Sequence, residues 1–82
     1  MKILGMKAHL ALRKQEILRQ FGDKIAFLRK KAGWSQEELG ERAGLHRTYI
    51  GSIERHERNI SLLNIERLAK AFNLKPFELI KF

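Results

Sequence analysis

Residues Ser35–Arg55, SQEELGERAGLHRTYIGSIER, hold two short helical patterns joined by one glycine. Gln36 opens the first pattern, Gly40 follows four residues later and Gly44 four after that. Leu45, Ile50 and Ile53 supply the apolar positions of the second. Two helices that cross steeply through a short turn need this arrangement. A small side chain lets the axes approach, and a glycine tolerates positive φ at the corner. Ser35 is suited to cap the first helix, and Glu38 three residues on completes a capping box, which predicts a helix over Gln36–Ala43. The second helix begins at Leu45 or His46 and reaches Arg55. The stretch predicts a helix-turn-helix.

The flanking sequence is helical as well. Ile17, Leu18, Phe21, Ile25 and Leu28 fall at helical spacing within Lys14–Ala32, and Gly33 breaks that helix at its C-terminus. Gly22-Asp23 either starts a new helix or is absorbed into a longer one. Ser61 caps a further helix, whose Leu62, Leu63, Ile65, Leu68, Ala69 and Phe72 form a broad apolar face, with Asn73 as its stop. Pro76 opens a last short helix carrying Phe77, Leu79, Ile80 and Phe82. No stretch alternates as a strand does, so the expected fold is all-α.

On the second helix of the motif, Ile50 and Ile53 turn inward, leaving Arg47, Thr48, Gly51, Ser52 and Arg55 on the opposite face. That mixture suits the DNA major groove. Arginine pairs bidentately with guanine O6 and N7, and threonine bonds a base edge or touches a thymine methyl. Small residues let the helix sink toward the base pairs. An ordinary solvated helix face would look similar in isolation, but the chain also carries 17 Lys and Arg against 9 Asp and Glu, a net charge of +8. Such an excess favours a polyanionic partner.

The strings IAFLRKKAGWSQEELGERAGL, HRTYIGSIER and ERNISLLNIERLAKAFNLKP resemble the lambda-repressor-like (Cro/repressor, XRE) DNA-binding family over about residues 21–76. HRTYIGSIERHERN most resembles the controller proteins of restriction–modification systems. The resemblance implies a five-helix domain in which His46, Arg47, Thr48 and Ser52 read bases. It implies that Gln36 contacts the backbone and buttresses the recognition helix, and that Arg55, Arg58 and Asn59 touch phosphates. Tyr49 either reaches a phosphate or packs beside the first helix of the motif. Arg29 and Glu54 occupy positions where the family forms a structural ion pair. Two departures stand out: Gly40 replaces a more usual alanine, and His56 stands where glycine is common.

Eighty-two residues allow one domain with a modest core. The chain has no cysteine, which excludes disulfides and cysteine-ligated metals. His9, His46 and His56 are scattered without metal-ligand spacing, and no phosphate-binding loop or nucleophile motif occurs, so neither a metal, a cofactor nor catalysis is expected. No apolar run reaches the roughly 18 residues of a membrane span, and the expected location is cytoplasmic.

A helix of this size reads only a few base pairs, so the expected assembly is a homodimer on double-stranded DNA. Leu63, Leu74, Phe77, Leu79, Ile80 and Phe82 exceed what a small core absorbs, and Leu63, Leu74, Phe77, Ile80 and Phe82 are expected at the dimer interface. Residues 21–82 then form the DNA-binding and dimerisation domain. Residues 1–20 form an extension with five basic residues against one acid. It could be a basic arm on the duplex, an unstructured start, or a helix from about His9 packed through Leu10, Leu12, Ile17 and Leu18; the helix is preferred. Two rival functions remain: an antitoxin that holds a toxin and regulates its own operon, and an adaptor that does not bind DNA.

Overall fold

Ser35 adopts an extended backbone (φ −75°, ψ 167°), and its hydroxyl accepts from Glu38 N at 3.0 Å, while Glu38 Oε1 accepts from Ser35 N at 3.3 Å. This reciprocal box starts α2 (Gln36–Ala43), and Gly44 ends it in the left-handed conformation at φ 70°. The turn leads into α3 (Arg47–Glu54). These two helices form the motif in a computed structural model that describes residues 2–82, with side chains from Gly5 onward. Before them lies α1 (Lys2–Ala32); after them come α4 (Leu62–Ala71) and α5 (Pro76–Leu79). Met1 and the side chain of Lys2, both in the expected basic extension, lie outside the described residues. Among the described residues all regular structure is helical.

α1 runs unbroken through Gly22, so the longer of the two readings of this region holds, and the helix starts well before His9. At about 1.5 Å per residue its 31 residues account for the 47 Å long axis of the molecule. The glycine is a packing requirement. A Cβ at Gly22 would collide with the carbonyl of Ile53 and come within 2.8 Å of the His56 ring, so α1 crosses the end of α3 at backbone contact. Gly40 is similar. A Cβ there would strike the carbonyl of Leu45, so glycine lets the motif's turn fold back on α2, which outweighs the ~1 kcal/mol of helix propensity it forgoes.

The core joins one or two residues from every helix: Phe21 and Ile25, Leu39 and Ala43, Ile50 and Ile53, Leu68 and Ala69, and Leu79. Trp34 stacks on Phe72 at 5.5 Å and carries the Arg42 guanidinium 4.2 Å from its ring. It therefore packs against the C-terminal end of α4. Ser61 caps α4 by accepting from Asn64 N at 3.2 Å. Asn73 stops that helix at φ 58°. Lys24, on α1, donates to the carbonyls of Glu78 and Lys81 and lies 5.9 Å from the Phe82 ring, which ties the C-terminal segment to α1.

Candidate nucleic-acid interface

The recognition helix divides at its middle. Its C-terminal half is locked from three sides. Arg29 Nε donates to Glu54 Oε2 at 2.6 Å and Nη2 to Oε1 at 2.9 Å, and Nη1 reaches the Trp34 carbonyl at 2.8 Å. The two side chains are only 12% and 9% exposed. The bidentate bond to Glu54 raises the pKa of Arg29 further above its ordinary value. Gln36 Nε2 adds a bond to Glu54 Oε1 at 3.1 Å, so the first residue of α2 is tied to the last of α3. Gly51 gives this glutamine room: a Cβ there would lie 3.3 Å from Gln36 Oε1.

The N-terminal edge is open. His46 is the N-cap of α3, and its Nδ1 accepts from Thr48 N at 3.0 Å, which leaves Nε2–H directed away from the helix end. Arg47 and Thr48 are exposed. Arg47 Nη1 bonds Glu37 Oε2 at 3.1 Å, both side chains remaining well solvated. Its other guanidinium donors face solvent, in the fork that a guanine edge accepts. Glu37 was not among the expected site residues. Only the folded motif places the second residue of α2 beside the first of α3.

Ser52 does not join this outward set. It is 4% exposed, its hydroxyl donates to the Tyr49 carbonyl at 2.7 Å, and it accepts from Arg58 Nε at 2.9 Å. The reason is local: the chain after α3 folds back and lays Arg58 over the position that helical spacing alone leaves open. The Arg58 guanidinium also sits 5.2 Å from the Tyr49 ring. Tyr49 packs toward α4, its hydroxyl accepting from Asn64 Nδ2 at 3.2 Å, and not beside α2. Arg55 is exposed and paired with Glu57 at 3.1 Å. Asn59 borders an apolar groove beside α1.

Just past α3, His56 occupies the left-handed region at φ 68°. Its Nε2 lies 2.7 Å from Asp23 Oδ1, a second clasp between α1 and the recognition helix. This bond is the leading cause that holds the Asp23 carboxyl below its ordinary pKa. Among the described residues no cluster of His, Asp or Glu could hold a metal ion, and no helix is long and apolar enough to cross a membrane.

Comparison with known proteins agrees with this geometry. A helix-turn-helix family profile (HTH_3) matches residues 25–79. The control protein C.BamHI of Bacillus amyloliquefaciens is 48% identical over 63 residues, 76% of this chain and 78% of that protein. The crystal structure of the restriction–modification controller protein C.AhdI from Aeromonas hydrophila superposes with a TM-score of 0.73 at 47% identity, covering 76% of this chain and 94% of that one. SinR, a master regulator for biofilm formation solved in complex with DNA, gives 0.70 at 32% identity over 74% of this chain and 98% of that one. About a quarter of this chain lies outside each of these three matches. On this fold, this motif and these relatives, the chain belongs to the XRE-type helix-turn-helix family of DNA-binding transcription regulators.

Proposed function

We propose that the chain acts as a homodimeric, sequence-specific regulator of the controller-protein kind, occupying an inverted-repeat operator through two copies of α3. The observation that carries this reading is the exposed edge His46–Arg47–Thr48, presented by a helix whose other half is immobilised by Arg29, Gln36 and Glu54. A rigid base with a polar, solvated reading edge suits direct readout. Arg47 reads a guanine. Thr48 and the Nε2–H of His46 contact neighbouring base edges. Arg55, Arg58 and Asn59 approach phosphates on one flank, with Tyr49 holding Arg58 in place. Gln36 meets the backbone at the start of α2, where the free N–H groups of the helix favour an anion.

The dimer reading draws on exposed apolar side chains beyond the core. Leu63, Phe77, Ile80 and Phe82 are each more than half exposed. Leu74 is half-buried against the core and offers less to a partner. Selecting duplexes from a random pool at near-physiological salt tests the reading. The expected product is an inverted repeat with half-site centres about 10 base pairs apart. Salt-sensitive binding without a recovered motif would overturn it and favour the adaptor reading, in which the positive charge is incidental. An antitoxin would also recover a motif and would in addition copurify with a toxin.

A further inference from the structure

Residues 5–17 of α1 are all exposed, and several of them are large and apolar. Met6 and Leu10 are each 63% exposed and Ile17 is 54% exposed. Spaced by four and seven residues, they share one face of the helix with Phe21, which enters the core. The stripe therefore leads directly into an apolar groove of about 160 Å³, lined by Ile17, Phe21, Ile60, Ile65, Ile80 and Phe82. Lys24 holds the far wall in place by binding the carbonyls of Glu78 and Lys81, so the groove is preformed.

We infer that this arm is a dimerisation element that docks into the groove of a second copy of the chain. The inference rests on the homodimeric reading above and adds the arm to the surface that joins the copies. The occupant is identified by self-complementarity. Stripe and groove lie on the same face of one straight helix, Leu10 and Ile17 being about 10 Å apart along its axis. A single two-fold axis crossing α1 between them lays Leu10 of each copy over the partner's Ile17. Met6 then reaches the partner's Phe21 and groove, and both grooves fill at once, as an isologous interface requires. The exposed parts of Met6, Leu10, Ile17, Ile80 and Phe82 amount to roughly 500 Å² per copy, which doubles to the ~1,000 Å² that a specific interface needs.

Lys7 and Lys14 share the helical phase of the stripe, their stems extending its apolar surface. In this register Lys14 faces the partner's Arg13 and lies within about 2 Å along the axis of the partner's Lys14, so like charges meet there, while the two Lys7 side chains stay about 20 Å apart. Association is therefore expected to tighten with added salt, the opposite of DNA binding.

The test uses the full chain, which has no native cysteine. Leu10→Cys and Ile17→Cys are made separately, mixed and oxidised. The expected product is the mixed disulfide between the two variants, because antiparallel docking brings only that pair within the ~7 Å Cα separation a disulfide spans. In sedimentation equilibrium, Leu10→Asp should weaken dimerisation by roughly tenfold or more while Trp34 fluorescence reports an unchanged unfolding transition. Preferential Leu10–Leu10 crosslinks would overturn the antiparallel arrangement. A dimer insensitive to Leu10→Asp but abolished by Leu63→Asp or Phe77→Asp would overturn the arm and leave the homodimer standing. A chain monomeric both free and on its selected operator would overturn both. Monomers that bind anionic vesicles through Leu10 would assign the arm to a membrane surface instead.

Discussion

The two halves of α3 are made from the same eight residues of helix and do opposite things. From Gly51 to Glu54 the side chains are buried or bonded to α1 and α2, whereas His46, Arg47 and Thr48 stand in solvent. On the proposed reading, rigidity and readout are thus separated along one helix. The buried half specifies where the helix lies, and the exposed half spends no donors on holding it there, apart from one Arg47–Glu37 bond that stays accessible to solvent. Substitutions in the buried half should therefore act on folding and on all DNA alike. Those at Arg47 and Thr48 should act on sequence choice.

The largest effect is expected at the lock. Glu54→Ala leaves the partly buried Arg29 guanidinium unpaired and should cost about 3–5 kcal/mol in urea-induced unfolding. An unchanged midpoint would mean that the pair does not position α3. Arg47→Ala should leave that midpoint alone and remove ~1–3 kcal/mol of operator binding, with little change on a scrambled duplex. Equal losses on both duplexes would erase the distinction between the halves.

Ser52→Ala sharpens the boundary. Removal of a buried hydroxyl that bonds Tyr49 and Arg58 should cost ~1 kcal/mol of stability and weaken binding evenly across operator variants. A loss confined to one base pair would return Ser52 to the reading edge. The smallest effect concerns acid. Asp23 has a lowered pKa when folded, so the folded chain binds fewer protons and stability rises with pH across the carboxylate range. The contribution is complete above the unfolded value of about 4 and is lost as pH falls through the lower folded value. Asp23→Asn should flatten that acid limb of the unfolding curve slightly, by lowering stability at neutral pH and leaving it unchanged at the acid end.

Much of this is legible in the sequence. The caps at Ser35 and Ser61, the stops at Gly33, Gly44 and Asn73 and the proline start of α5 act within one turn of chain, and sequence displays such signals directly. The unbroken course of α1 was not legible. Gly22 reads locally as a helix breaker, and only the passing Ile53 carbonyl reveals why a glycine belongs inside the helix. Helical spacing put Ser52 outward because spacing knows nothing of a loop arginine six residues later that covers it. Arg47 and Glu37 are ten residues apart, and their meeting depends on the crossing angle of two helices. The apolar residues of the arm were visible as candidates for packing. That they continue a groove built from Ile60, Ile65 and Ile80 needed the tertiary fold.

Methylation interference on the selected operator, run with the wild type and with Arg47→Ala, tests the assignment of the reading edge most directly. Methyl groups at guanine N7 occupy the major-groove position where an arginine fork would bond. One guanine in each half-site is expected at which methylation blocks the wild type, and Arg47→Ala should be indifferent to methylation at that guanine. Interference that persists unchanged in Arg47→Ala, or that is absent from the wild type, would contradict it.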